Sequence, residues 1–370
     1  MKLICNREAF TKAFVQAAIA VPSRTPKDIL KYVFMSVEAG SLTLVGTDQE
    51  NGIRCKVEDV TATERGDVLL PTSKIGDILR ETTDENLEME VVNETITIKT
   101  NSGRFRLSTE SAAEYPPVPY FDAEEYHKIP SSVLRNMIRR VTIATDSEST
   151  RYALGGALLE FDIDNKATMV ATDSRRLSMM TVQSTVVGSP KVIMKKTIVP
   201  SKTLHVIERT IDDKIEDVDV SVEENAVMFR SGNVTVFSRL VEGRFPAYRN
   251  VIPPRANIRI QIPVGQFYAA VRKSQIVTEK ETVGVKFCFS NSLLTLQSEA
   301  ASIGESSIEM PIEYDGEEIT IGLFPKYLAD FLKVLPQEAL VEMEIVNADS
   351  PVKFNYQESY VYVIMPLTSE

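Results

Sequence analysis

Apolar positions along this chain alternate between two periods. Runs spaced by three and four residues, the spacing of one helix face, give way to short stretches that alternate in and out like strands, and then return. Phe10, Ala13, Phe14, Ala17 and Ala18 form the first helical run. The second opens at Ser131-Ser132, where either serine can cap it, and continues to Ala144; the third spans Val264 to Gln275. Behind each lie strand-like pairs: Tyr32–Val37 with Ser41–Val45, Ala157–Phe161 with Thr168–Ala171, and Val285–Phe289 with Leu293–Gln297. The first two pairs turn through Glu38-Ala39-Gly40 and Asp162-Ile163-Asp164-Asn165.

A proline-lysine phrase then recurs: Pro71-Thr72-Ser73-Lys74, Pro200-Ser201-Lys202 and Pro325-Lys326, leading further helical runs to Arg80, Ile211 and Leu335. The three lysines stand about 125 residues apart, longer than a solenoid repeat and about one domain long. Thr47-Asp48-Gln49-Glu50 and Thr172-Asp173-Ser174-Arg175, each leading a strand, repeat at the same interval. Alternating segments close each copy: Leu87–Val92, Thr95–Lys99 and Arg104–Ser108; Asp217–Val222, Val227–Phe229 and Thr235–Ser238; Val341–Val346, Val352–Phe354 and Tyr360–Met365. The chain therefore reads as α+β, three copies of one domain that runs helix, strands, helix, strands, its two helices packed on antiparallel sheets. Proline-rich linkers, Tyr115 to Pro130 and Phe245 to Pro254, divide it into residues 1–122, 128–252 and 254–370.

The sequence has 370 residues and a net charge of −11, which taken whole argues against a nucleic-acid partner. The charge is unevenly placed, however. The six helical runs carry about +8 between them, which leaves about −19 elsewhere. Helical geometry turns the cations away from the apolar stripes. Arg135 and Arg139 stand opposite Leu134, Met137, Ile138 and Val141. Lys202, His205 and Arg209 oppose Leu204, Ile207 and Ile211, and Lys326 and Lys333 oppose Tyr327, Leu328, Phe331 and Leu335. Lys12 and Lys273 oppose the stripes of their own helices, while Lys74 and Arg80 only flank theirs. Basic helix faces without interleaved aromatics suit duplex phosphate contact, which carries no sequence information, better than single-strand base stacking.

Candidate chemistry is sparse. There is no GxxxxGK[ST], GxGxxG or GxSxG loop, and no CxxC or HxxxH pair to hold a metal. His127 falls in a linker and His205 on a basic helix face, neither beside a nucleophile. The acid clusters Asp122-Glu124-Glu125, Asp212-Asp213 and Glu223-Glu224 read as solvated turns; as a cation site they would support a rival reading, a metal-dependent hydrolase. A scaffold that never touches DNA is a third reading. Cys5, Cys55 and Cys288 are odd in number and far apart, no apolar run approaches a membrane span, and the N-terminus shows no signal peptide. The expectation is a cytoplasmic protein with no membrane association, no metal, no cofactor and no catalytic residues.

Several motifs carry a resemblance. Ala171-Thr172-Asp173-Ser174-Arg175-Arg176-Leu177, Val241-Glu242-Gly243-Arg244-Phe245-Pro246-Ala247-Tyr248-Arg249 and Tyr362-Val363-Ile364-Met365-Pro366-Leu367 resemble the bacterial sliding clamps, the beta subunits of DNA polymerase III. So do Gly46-Thr47-Asp48 and Arg151-Tyr152-Ala153-Leu154-Gly155-Gly156, and the resemblance covers essentially the whole chain. It implies a head-to-tail homodimer whose six domains close a ring around double-stranded DNA, with the helices lining the hole. Such a processivity factor has no chemistry of its own. It tethers the replicative polymerase alpha subunit, the clamp loader, and other polymerases and repair proteins that carry clamp-binding peptides. DNA-contact roles carry over to Arg24, Glu148 and Tyr152, with Lys74, Arg80 and Lys202 as further candidates, beside the basic-face residues Lys12, Arg135, Arg139, Arg209, Lys273 and Lys326. A peptide pocket is implied between copies two and three. Leu154, Thr172, Ser174, Arg175 and Leu177 would supply one part, Pro246, Asn250 and Val251 another, and Val363, Ile364, Met365, Pro366 and Leu367 the last. Ser174-Arg175 stands where a Gly-His pair is common, Asn250 where an Arg is, Glu148 where an amide is, and Ala153 where an aromatic residue is. The implied subunit junction sets Lys99, Arg104, Phe105, Arg106 and Leu107 against Ile276, Val277, Glu299 and Glu305.

Overall fold

The computed structural model describes every residue except 39, 147, 191–196, 213, 279–283, 301–302 and 368–370. Ala39 of the first turn and Asp213 of the acid pair thus lie outside the described residues. The amphipathic runs form α1 (Arg7–Ala18), α2 (Thr72–Glu81), α3 (Ser131–Val141), α4 (Ser201–Thr210), α5 (Val264–Ser274) and α6 (Pro325–Lys333). Pro71, Pro130, Pro200 and Pro263 each end a strand directly before a helix. Proline has no N–H for the ladder, and its fixed φ suits helix entry, so strand stops and helix starts at one residue. Before α1 the same task falls to Asn6, whose Oδ1 accepts a hydrogen bond from the Ala9 N–H at 3.0 Å.

The copies open with a strand, not with the helix expected from the sequence. Lys2–Asn6, Tyr126–Pro130 and Ile258–Pro263 precede α1, α3 and α5. They run straight into the helical spacing, and so few alternations do not separate the two periods. His127 accordingly lies buried on a strand and not in a linker. Another strand precedes each second helix: Gly66–Pro71, Ile198–Pro200 and Ile319–Leu323.

The chain divides into two compact units, and the division runs through copy two. The first comprises Met1–Leu134, Ser184–Lys191 and Lys202–Leu240. Its five-stranded sheet has the order Thr61–Glu64, Lys2–Asn6, Asn86–Val92, Thr95–Thr100, Gly103–Ser108. Its nine-stranded sheet runs Thr185–Val187, Tyr126–Pro130, Asp217–Val222, Ala226–Ser231, Val234–Arg239, Asn51–Glu58, Ser41–Thr47, Tyr32–Glu38, Gly66–Pro71. The second unit has an eight-stranded sheet, Ile198–Pro200, Gly156–Phe161, Lys166–Thr172, Arg176–Gln183, Tyr360–Ile364, Val352–Tyr356, Leu340–Ile345, Ile258–Pro263. It also has a four-stranded sheet, Gly304–Pro311, Leu293–Ala300, Val285–Ser290, Ile319–Leu323. Strand neighbours are antiparallel throughout these sheets. Phe10 and Phe14 of α1 are buried in the first unit; in the second, Phe331 of α6 stacks on the Tyr362 ring at 4.6 Å.

One sheet in each unit crosses from copy to copy. Val234–Arg239, the last strand of copy two, pairs with Asn51–Glu58 of copy one, Ser238 opposite Asn51. Tyr360–Ile364, the last strand of copy three, pairs with Arg176–Gln183 of copy two, Ile364 opposite Arg176. The first joint carries reciprocal ion pairs: Lys12 of α1 with Asp212, and Lys202 of α4 with Asp48, each at 2.5 Å. Burial raises the Asp48 carboxyl, but hydrogen bonds from Lys202 and Asn51 outweigh it and leave the group below the ordinary carboxylate range. The Lys12 hydrogen bond likewise lowers Asp212.

A carboxylate lowered in this way takes up its proton more readily in the unfolded chain. Its contribution is complete above the ordinary carboxylate range and is lost as pH falls through the lowered value. Both pairs are partly exposed, so the expected loss is about 1 kcal/mol for the two together. It should appear as a fall in the thermal unfolding midpoint between neutral pH and about pH 3, shallower in the Asp48→Asn, Asp212→Asn variant.

Candidate nucleic-acid interface and partner groove

The basic helix faces are where helical spacing puts them. Lys202, His205 and Arg209 are exposed on α4, Arg272 and Lys273 on α5, and Lys326 and Lys333 on α6; on α3, Arg139 is exposed and Arg135 half-buried. Among the described residues of α3 to α6 no acid is exposed: Glu208 and Asp330 are half-buried. On α2, Lys74 and Arg80 share the surface with Asp77 and Glu81, and Arg80 lies 3.2 Å from Asp77. Arg140 corrects the charge count of α3. It is buried, with its guanidinium over the rings of Tyr356 and Tyr360 at 5.0 and 5.5 Å. Lys12 and Lys202 stay exposed while holding Asp212 and Asp48. Arg24 is exposed in the loop after α1; Glu148 and Tyr152, the latter 80% exposed, lie in the segment after α3.

The Thr-Asp phrase that repeats in copies one and two builds a hairpin turn. Thr172 Oγ1 donates to the Arg176 carbonyl at 2.7 Å, and Thr47 Oγ1 to that of Asn51 at 2.6 Å. Asp173 Oδ1 accepts from the Arg175 and Arg176 N–H groups at 2.9 Å, as Asp48 Oδ1 does from Asn51 at 2.7 Å. The turn forces a positive φ on Ser174 (76°) and Gln49 (77°), where glycine would be unstrained.

Beside this turn lies a hollow of about 200 Å³, lined by Thr172, Ser174, Leu177, Pro246, Val251, Val363 and Met365 from the expected set. Its floor is a buried cluster that includes Leu158, Leu177, Phe245, Tyr248 and Val363. Arg151, Arg176, Ala247 and Tyr248 complete the lining. They stood inside the quoted motifs, yet only the pairing of two distant strands shows that they face one hollow. Arg176 is fixed by Asp173 and by Asp330 of α6, each at 2.8 Å, and lies over the Tyr327 ring.

Other expected pocket residues fall elsewhere. Leu154 and Ile364 are buried off the lining, Ile364 because strand alternation sends it to the face opposite Val363 and Met365. Leu367 packs over Gly284 and Gly322, and its N–H donates to the Gly322 carbonyl at 2.8 Å. Arg175 and Pro366 are off the lining, and Asn250 belongs to a second hollow of about 220 Å³ with Leu158 and residues 244–249.

Five of the nine expected junction residues lie on two open sheet edges. Gly103–Ser108 is the edge of the five-stranded sheet, with Arg104, Phe105 and Arg106 exposed and Leu107 half-buried. Behind it Lys99 meets Glu88 at 2.6 Å. Gly304–Pro311 is the edge of the four-stranded sheet, with Glu305 exposed and Glu299 opposite it on the next strand. Ile276, 75% exposed, and Val277 sit in the turn Gln275–Val277.

Among the described residues no three His, Cys, Asp or Glu side chains gather as a metal site requires. No helix is long and apolar enough to cross a membrane. Burial pushes the Cys5 and Cys55 thiols up to about 12.

Three family models match in order: the N-terminal domain of the DNA polymerase III beta subunit over residues 1–119, its central domain over 128–247 and its C-terminal domain over 249–368. The beta sliding clamp of Pseudomonas aeruginosa is 29% identical over 371 aligned positions, 99% of this chain and all of that one. That of Chlamydia pneumoniae is 26% identical, covering 99% of each chain. The crystal structure of the Pseudomonas aeruginosa beta subunit superposes with a TM-score of 0.92 at 28% identity over the full length of both chains. A Pseudomonas aeruginosa sliding clamp bound to griselimycin superposes equally well, with a TM-score of 0.92. With matches running from end to end, the chain belongs to the DNA polymerase III beta subunit family, the bacterial sliding clamps.

Proposed function

We propose that two copies of this chain close head to tail into a six-domain ring, which holds the replicative polymerase on duplex DNA. The observation that carries this reading is the joint that the chain makes twice and leaves open at both ends. Gly304 occupies the strand position of Asn51 and Arg176, and Leu107 that of Ser238 and Ile364. Extended by one step, the pairing sets Arg106 of one copy opposite Glu305 of the other, Phe105 opposite Ser306, and Arg104 opposite Ser307. Basic and acidic side chains then share one face, and neither of these two edges stays open.

The exposed cations of the helices attract a polyanion, while the acids elsewhere repel one. Residues Lys12, Arg24, Lys74, Arg80, Arg135, Arg139, Tyr152, Lys202, Arg209, Lys273 and Lys326 fit that lining. Glu148, which carries over from the family, is a carboxylate and does not attract phosphate. Enclosure makes tight contact unnecessary, so the ring can slide. The apolar hollow beside Met365 receives peptides of the polymerase alpha subunit, the clamp loader and other polymerases and repair proteins. The chain itself is the non-catalytic subunit, acts in the cytoplasm, and divides at residues 1–122, 128–252 and 254–370.

The test is retention after loading on nicked circular DNA. The protein should stay with circles through gel filtration and leave once they are cut to linear form. A monomer that leaves circles as fast as linear DNA would overturn the proposal.

A further inference from the structure

The geometry points to Glu160 as a positioning residue that holds the wall of the partner groove without touching what binds there. This rests on the groove reading above. The wall is formed by Pro246, Ala247, Tyr248 and Val251, and it has little structure of its own: one 3-10 turn, Tyr248–Val251. It also stands between two hollows, the groove on one side and the 220 Å³ hollow on the other, both of which share Pro246, Ala247 and Tyr248. Of these four only Tyr248 is buried, in the cluster under the groove, while Pro246, Ala247 and Val251 are exposed, so packing holds the wall at one point.

Glu160 supplies a polar hold. It projects from the strand Gly156–Phe161 with its side chain 4% exposed. Its Oε2 accepts from the Tyr248 hydroxyl at 2.7 Å and from Arg249 Nη2 at 3.0 Å, both in the wall. A carboxylate so buried is unfavourable unless paired, and both partners come from this one segment. The Arg249 guanidinium lies over the Tyr248 ring at 4.7 Å, and Phe245 meets that ring edge-on at 6.3 Å. Burial first, then the neighbouring carboxylate, push the Tyr248 hydroxyl above its ordinary range, which keeps its proton in place for Glu160.

The repeat supplies an independent comparison. Ala157, Val33 and Val285 occupy matching strand positions, opposite Val199, Leu70 and Leu323. Three residues on, copy two has Glu160 where copies one and three have Ser36 and Cys288. The acid is peculiar to the copy whose linker walls the groove. Holding that linker in the binding arrangement removes an ordering cost from every partner.

The test uses the full-length dimer carrying Glu160→Leu, Glu160→Gln, Tyr248→Phe or Met365→Ala. Griselimycin is titrated by calorimetry, and binding of the purified polymerase alpha subunit is measured in parallel. Glu160→Leu and Tyr248→Phe should each weaken both probes about tenfold, as for loss of one buried hydrogen bond to a charged group. The double variant should lose little more than either, and Glu160→Gln, which can still accept from Tyr248, should recover part. Amide exchange over residues 247–251 should quicken in free Glu160→Leu and return to the wild-type rate when griselimycin saturates it. The residence time of rings already loaded on circular DNA should not change, because the groove plays no part in enclosure. If Met365→Ala weakens binding but Glu160→Leu, Glu160→Gln and Tyr248→Phe bind as wild type, the positioning role is overturned. If Met365→Ala also binds as wild type, the groove reading fails and this inference with it. Should Glu160→Leu not fold, Glu160→Gln and Tyr248→Phe decide the question.

Discussion

Arg106→Glu should convert the dimer to a monomer, and adding Glu305→Arg should restore it. The two residues lie on open sheet edges equivalent to the strands that the internal joints pair in a fixed register, and only that register sets them opposite each other. Reversal replaces an attraction by two like charges side by side. A closed dimer holds this joint twice, so a cost of about 2 kcal/mol at each raises the dissociation constant by roughly a thousandfold. Sedimentation at micromolar concentration separates the two states. Recovery in the double variant is the informative part, because mere damage to either edge would not be repaired by a second change. A dimer that survives Arg106→Glu would mean the third joint is displaced along the strand.

The second large effect belongs to the helices. Arg209→Glu, Lys273→Glu and Lys326→Glu together should abolish loading on nicked circles while leaving the dimer intact. A ring would lose six cations from positions exposed on α4, α5 and α6, whose faces show no exposed acid among the described residues. If each meets a phosphate, the slope of log affinity against log salt becomes shallower by about 5. Lys12 and Lys202 are poor choices for this test because they hold Asp212 and Asp48 at the first joint. Unchanged loading would favour a scaffold that never engages DNA.

The amphipathic helices and the threefold repeat were legible because each covers enough residues for its period to show. The short opening strands were not, since Lys2–Asn6 passes into α1 without a break. Arg140 was unreadable for another reason. Its sequence neighbours place it on a basic helix, and the tyrosine whose hydroxyl donates to its carbonyl lies 220 residues later. The groove was legible only through motifs, and the structure sorts their residues by position. Thr172, Leu177, Pro246, Val363 and Met365 meet as expected, but Leu367 turns away because Gly284 and Gly322 leave a surface on which it can lie. Glu160 gave no signal at all, since a single acid in an apolar strand shows its purpose only once Tyr248 and Arg249 are seen against it.

The two inner cysteines have a practical consequence. With ordinary pKa values replaced by values of about 12, Cys5 and Cys55 present almost no thiolate to an alkylating dye at working pH. Cys288, half-exposed on the strand Val285–Ser290, is left as the reactive handle. The unaltered protein therefore accepts one fluorophore per chain, and stepwise photobleaching of a single molecule counts its subunits directly.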